Sequence, residues 1–191
     1  DLEKIPRPAW DLFPIHEYMI NKFSYGVDRG RSLPVMATRG CPFSCTFCSS
    51  PQMWGTRYYM RSPMDMANEI EELYHTYQIR NFDFYDLTAI IKKEWIIDFC
   101  KELVKRNLDI TWQIPAGTRS EAIDEEVADW LYKSGCRNIT YAPESGSPQT
   151  LKLIKKKVKL ENMLRSIAAS NVKGLNIKLN MMIGFPDERH F

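Results

Sequence analysis

Ser32-Leu33-Pro34-Val35-Met36-Ala37-Thr38-Arg39-Gly40-Cys41-Pro42-Phe43-Ser44-Cys45-Thr46-Phe47-Cys48 is a short apolar run followed at once by three cysteines separated by three and then two residues. The run from Ser32 to Thr38 reads as a first β-strand, with its proline near the start where a strand tolerates one. In a parallel βα sheet the cysteine-bearing turn then lies at the C-terminal edge of the strands, where such folds assemble their active sites. The rest of the chain has to show whether the sheet is of that kind.

Working outward, strands and helices alternate. Ser62 as N-cap and Pro63 at the first helical position open an amphipathic helix from Met64 to Tyr77. Phe82 to Tyr85 is a second strand, followed by a helix from about Lys93 to Arg106. Ile110 to Ile114 is a third strand, and a helix from Asp124 to Ser134 stops at Gly135. Asn138 to Ala142, helical cover over Ser147–Lys155 and Leu160–Asn171, and a fifth strand over Asn176–Ile183 complete the series. The repeat is about 35 residues, typical of a βα barrel or a doubly wound sheet. The expected fold is α/β: a partial (β/α) barrel with parallel strands, truncated after the fifth strand.

Residues 31–191 form the expected core domain of a longer chain, because no helix follows the last strand to cover it. Residues 1–30 carry Pro6, Pro8 and Pro14 and read as an extended lead-in or linker rather than a helix.

The chain has 191 residues, of which 44% are hydrophobic and 12% aromatic, enough for one packed core and too many for a disordered segment. A net charge of +2 gives no indication of a nucleic-acid partner. No apolar stretch approaches a membrane span, and Asp1-Leu2-Glu3 does not open a signal peptide, so a cytoplasmic protein is expected. Five cysteines, three of them within eight residues, do not suit a disulfide scaffold and favour a metal or redox role.

Three thiolates at this spacing can converge on one face of a loop. A cubane iron–sulfur cluster normally takes four protein thiolates, so three leave one iron open to a small chelating ligand. A zinc knuckle would need a fourth ligand such as His16 or His75, and neither follows at knuckle spacing. The spacing resembles the C-x-x-x-C-x-x-C signature of the radical S-adenosylmethionine superfamily, whose aromatic before the last cysteine is Phe47 here. The resemblance implies that Cys41, Cys45 and Cys48 hold a [4Fe–4S] cluster, with S-adenosylmethionine on the open iron. Reductive cleavage would then give a 5′-deoxyadenosyl radical, the cofactor carrying the chemistry and the protein the orientation.

Further stretches resemble the same superfamily. Glu144-Ser145-Gly146-Ser147 ends the fourth strand and resembles an E-S-G-S segment, which implies that Glu144 and Ser145 face the cofactor. Alternatively, Ser145 or Ser147 only caps the next helix. Ile183-Gly184-Phe185-Pro186 resembles the fifth-strand segment that packs on adenine around Ile183, although Asp187 and Arg189 depart from the usual Gly and Thr. Asp86 matches the first acid of a D-D-x-F pattern and would accept from the methionine ammonium, or else cap a segment. Arg119, in Thr118-Arg119, would pair with the methionine carboxylate or remain a solvated loop residue. Cys100 and Cys136 read as small core residues, and Lys155-Lys156-Lys157-Val158-Lys159 as a solvated helix end.

Arg7-Pro8-Ala9-Trp10-Asp11 looks like the linker that joins a cobalamin-binding domain to a radical domain, which points to the cobalamin-dependent branch. By that resemblance the full-length protein would use cobalamin for methyl transfer or ring formation. Its partners would be a small-molecule substrate and an electron donor such as flavodoxin or ferredoxin. Two rivals stand beside this reading. A transfer-RNA methylthiotransferase shares the serine-glycine-serine and G-F-P stretches, and an iron–sulfur electron-transfer module would need a fourth cysteine.

Overall fold

The structure, a computed structural model, describes residues 2–22, 25–119, 122–186 and 188. Its lead-in is less extended than the prolines suggest. Single 3-10 turns at Leu2–Lys4 and Trp10–Leu12 precede a short helix, α1 (Ile15–Ile20). Pro14 is the N-cap of α1, a position where its missing N–H removes no helical bond, so the third proline starts a helix instead of preventing one. Arg7 fastens this segment to the domain through an ion pair with Asp65 and lies 3.6 Å from Glu69.

After it come β1 (Ser32–Val35), β2 (Thr38–Arg39), α2 (Ser50–Trp54), β3 (Tyr59–Met60) and α3 (Pro63–Tyr77). The chain continues through β4 (Asn81–Phe84), α4 (Lys93–Arg106), β5 (Thr111–Thr118) and α5 (Glu125–Lys133). It ends with β6 (Cys136–Glu144), α6 (Pro148–Leu153), α7 (Leu160–Val172) and β7 (Asn176–Met181). Five strands form one parallel sheet in the order β1-β4-β5-β6-β7, the arc of a βα barrel that the alternation predicts.

The first strand is shorter than expected. It stops at Val35, and Thr38–Arg39 turn away to pair antiparallel with Tyr59–Met60. The cause is Asp86, whose carboxylate accepts from the backbone N–H groups of Ala37 and Thr38. Those donors are thereby satisfied outside the sheet. Strands β5 and β6 run longer than predicted, each past an internal proline. Pro115 and Pro143 fall inside the register shifts at Ile114/Thr118 and Tyr141/Glu144, where a residue without N–H interrupts the ladder. Both irregularities lie at the C-terminal ends of the strands, the edge that carries the site.

The outer face is sealed by helices. Ser62 caps α3 by accepting from the Asp65 N–H at 3.2 Å, and Met66, Ile70 and Leu73 form its buried stripe. Phe99 packs edge to face on both Phe84 and Trp112 at centroid distances of 5.6 Å, Phe84 and Trp112 are tilted against each other at 5.0 Å, and Trp95 stacks on Phe99. Cys100 and Cys136 are fully buried in this core, and burial pushes both thiols up, that of Cys100 to about 12. Neither is poised for redox chemistry.

The inner face is polar at its N-terminal half. Gln113 donates to the Val27 carbonyl at 2.9 Å and accepts from its N–H at 3.0 Å, so the end of the lead-in lies inside the arc. Gly26 passes so close that an added Cβ would stand 2.2 Å from the Gln113 amide nitrogen.

Candidate functional site

The cysteine loop leaves the β1 side of the sheet and touches the segments beyond the opposite strands. The Arg119 guanidinium, one residue past β5, stands 3.6 Å above the Phe43 ring. The Thr46 N–H donates to the Ile154 carbonyl, beyond β6 and α6, at 3.0 Å. The Phe47 and Phe185 rings, the latter past β7, have centroids 6.0 Å apart. Three chain segments far apart in sequence therefore meet one loop.

Gly40 sets the entry to that loop. Its φ is +88°, and a Cβ there would lie 2.1 Å from the Arg57 carbonyl oxygen, a backbone atom of the opposing strand's approach. Gly40→Ala is expected to destabilise the protein by about 2–3 kcal/mol, combining the left-handed strain with the clash. Gly184→Ala is the control, since φ there is +95° but a Cβ meets nothing within 4 Å. It should lose only about 1 kcal/mol. Urea unfolding midpoints of the two variants decide it; equal losses would mean that the Arg57 contact does not matter.

All five cysteines are free thiols, with Cys41 and Cys45 partly buried and Cys48 exposed. The Cys45 thiol is pushed up by burial, pulled back by the Lys156 cation, pushed up again by Cys41 and Cys48, and lowered by Arg119. The three sulfurs thus sense one another within a setting that contains two cations. Among the described residues no group of three His, Cys, Asp or Glu side chains is drawn tightly enough around one point to hold a single metal ion. Three thiols in one loop without a fourth protein donor beside them in sequence suit a cubane, in which three irons take one thiolate each and the fourth stays open.

Glu144 ends β6 with φ +68°, a left-handed backbone unusual for a side chain of its size, and is 8% exposed. Its Oε1 lies 3.0 Å from the Lys156 Nζ, and the two side chains are 11% and 13% exposed. This corrects the reading of residues 155–159 as a solvated helix end. Helix α6 stops at Leu153, Lys156 turns inward from the loop after it, and its neighbours face solvent. Nothing in a run of lysines marks which one turns in, so the sequence carries no signal for it.

The serines divide their work. Ser147 caps α6 by accepting from the Thr150 N–H at 3.3 Å, and Ser145, 5% exposed, accepts from the Ser147 N–H at 3.1 Å. Ser145 keeps its hydroxyl proton as a donor for a ligand. Ile183 stands two residues past β7 and is 96% exposed, and the Met182 N–H next to it donates to the Glu144 carbonyl at 2.9 Å. The turn at Gly184 and Phe185 is held by Glu188, whose carboxylate accepts from both N–H groups at 2.7 and 3.2 Å. Asp187 and Arg189, the two departures from the usual segment, lie outside the described residues.

Asp86 is fully buried, and its oxygens accept from Ala37 and Thr38, including the Thr38 hydroxyl. These bonds hold the root of the cysteine loop. Burial pushes its carboxyl up to about 6, against the pull of the Thr38 hydroxyl and the backbone N–H groups. A carboxyl raised above its unfolded value of about 3.9 is bound to its proton more tightly in the fold, so its contribution to stability falls as pH rises from about 4 to about 6. Asp86→Asn is expected to remove that slope from a plot of unfolding midpoint against pH. An unchanged slope would assign the titration to another group.

Residues 35–190 match the Radical SAM superfamily. The chain belongs to that superfamily. A radical SAM domain is the core of an enzyme, and the relatives agree with this. An uncharacterized methyltransferase of Pyrococcus horikoshii is 32% identical over 98% of this chain and 39% of its own length. The cytidylyl-2-hydroxyethylphosphonate methyltransferase of Streptomyces wedmorensis is 31% identical over 97% of this chain and 35% of its own. The anaerobic magnesium-protoporphyrin IX monomethyl ester cyclase of Rubrivivax gelatinosus is 28% identical over 98% and 33%. This radical SAM chain therefore spans 33–39% of the length of these relatives. Among solved structures, the radical S-adenosylmethionine methyltransferase TsrM of Kitasatospora setae, with tryptophan and a cofactor analogue bound, superposes with a TM-score of 0.70. It is 20% identical and matches 82% of this chain and 31% of its own, which supports the shared fold. Among the described residues no helix is long and apolar enough to cross a membrane.

Proposed function

We propose that Cys41, Cys45 and Cys48 bind three irons of a [4Fe–4S] cluster and leave the fourth to the amino and carboxylate groups of S-adenosylmethionine. The observation that carries this reading is the convergence of one loop bearing three free thiols with the segments beyond β5, β6 and β7. When reduced, such a cluster supplies the electron that cleaves the bound sulfonium to a 5′-deoxyadenosyl radical.

The chain's own residues orient the cofactor. Glu144 and Lys156 form a matched pair of opposite charges beside Cys45, suited to accept from the amino group and donate to the carboxylate of the methionine moiety. Ser145 offers its hydroxyl to the same side of the mouth, and Arg119 adds a second cation at the loop. Ile183 provides an exposed apolar flank for adenine, and Phe47 closes the mouth against Phe185, excluding water from the reacting centre. Asp86 acts by holding the loop.

The full-length protein is proposed to use cobalamin and to carry out methyl transfer or ring formation on a small molecule, in line with what its relatives are named for. Residues 1–30 would join this domain to the part that precedes it. An electron donor of the flavodoxin or ferredoxin kind would serve it, and free thiols suit the reducing cytoplasm. The deciding experiment is anaerobic reconstitution of the full-length protein with iron and sulfide, followed by electron paramagnetic resonance of the reduced form. A cubane signal that changes when S-adenosylmethionine is added is expected. A cubane signal indifferent to it would favour plain electron transfer, and zinc without iron would overturn the proposal.

A further inference from the structure

We propose that the lysines flanking Ile154 form the docking surface for an acidic one-electron carrier protein, a reading that rests on the cluster site proposed above. From Pro148 to Lys159 the chain has five lysines and no aspartate or glutamate, against a net charge of only +2 for all 191 residues. Lys156 is turned inward to Glu144, while Lys152, Lys155, Lys157 and Lys159 are exposed.

Several basic residues of the outer helices are neutralised by carboxylates. Lys93 pairs with Asp124 and Glu126, Arg106 with Glu71, and Lys133 and Lys173 with Asp129. Among the described residues the four exposed lysines of this loop have no such ion pair. Unbalanced charge of one sign in one loop produces a local field that steers an oppositely charged partner.

Its place explains what the field is for. The Ile154 carbonyl accepts from the Thr46 N–H, between Cys45 and Phe47, so the lysine loop and the cysteine loop are in direct contact. Lys155 and Lys157 are one and three residues beyond Ile154, at most about 12 Å along the chain at 3.8 Å per residue. A carrier seated on these lysines would bring its redox centre to the cysteine loop. One electron would leave its reduced flavin or iron–sulfur centre and enter the cluster site, with no bond made or broken and no proton required.

The chemistry of the patch favours a protein over a nucleic acid. Residues 148–159 contain no arginine and no aromatic residue, the groups that grip phosphates bidentately and stack on bases. Leu153, 52% exposed, puts an apolar centre within the basic rim, the layout of a protein interface.

The test uses the reconstituted full-length protein and its Lys155→Glu/Lys157→Glu variant, with a bacterial flavodoxin and a plant-type ferredoxin as probes. Zero-length carbodiimide cross-linking should join these lysines to donor carboxylates in the wild type and fail in the variant. Reduction by either donor at low ionic strength should slow at least about tenfold in the variant, while photoreduced deazariboflavin, small and uncharged, should reduce both proteins equally. The Lys155→Arg/Lys157→Arg variant should behave as wild type. Unchanged donor-dependent rates, cross-links that map elsewhere, or protection of these lysines by a short RNA that the donors cannot displace would overturn the proposal. A protein that shows no cubane signal with deazariboflavin would instead fail the cluster reading, and the cross-links would still decide the docking surface.

Discussion

Cys45→Ala in the reconstituted full-length protein is expected to lose the cubane signal and to cleave S-adenosylmethionine at least about a thousandfold more slowly than wild type. That is the scale on which removing one essential member of a catalytic set acts. With Cys45 gone, a second iron has no protein ligand, and the remaining two thiolates are a partly buried one and an exposed one. The loop itself should survive the substitution. Its backbone is held by Asp86 at the root, by the Thr46–Ile154 bond and by the Phe43–Arg119 contact, none of which uses the Cys45 sulfur. Cys100→Ala and Cys136→Ala are the matched controls. Both sulfurs are fully buried in the core, so each loss should cost about 1–2 kcal/mol of stability and leave the cubane signal in place. A Cys45→Ala protein that keeps both the signal and the cleavage would take the ligand role away from that residue.

Whatever is encoded locally is legible in the sequence. The cysteine spacing, the Ser62-Pro63 helix start and the βα alternation each depend on residues a few positions apart, and each stands in the fold where the sequence puts it. The features that are not legible are set by distant partners. The first strand ends at Val35 because Asp86, 48 and 49 residues away, takes the N–H groups of Thr38 and Ala37. Strands β5 and β6 exceed their expected lengths because Pro115 and Pro143 look like strand ends, whereas tertiary pairing carries the ladder past them with a shift of register. Helix α1 escapes a reading in which Pro14 counts as a breaker and not as a start. At the site, Glu144 and Ser145 come from a motif. Lys156 does not, since its inward turn depends on the end of α6 at Leu153 and on the unusual backbone of Glu144.

Lys156→Met is expected to separate what that pair does for the fold from what it does for the cofactor. The substitution keeps the length and apolar stem of the side chain and removes only its charge. It leaves the Glu144 carboxylate, 11% exposed, without the cation now 3.0 Å away. Removing one partner of a buried pair costs about 3–5 kcal/mol when the other charge remains. Residual exposure at both side chains lets water compensate in part, so a loss at the lower end of that range is expected from urea unfolding. The reconstituted variant should bind S-adenosylmethionine about tenfold to a hundredfold more weakly by calorimetry, the worth of one charge-assisted hydrogen bond to the methionine carboxylate. Lys156→Arg should restore both quantities, because it restores the charge. The double variant Lys156→Met/Glu144→Gln distinguishes the two roles. Without the buried carboxylate it should regain most of the lost stability, yet its affinity for S-adenosylmethionine should stay low, since both charged groups that would meet the methionine moiety are gone. If affinity returned together with stability, Lys156 would serve the fold alone, and recognition of the methionine moiety would have to come from Arg119 and the backbone around Ile183.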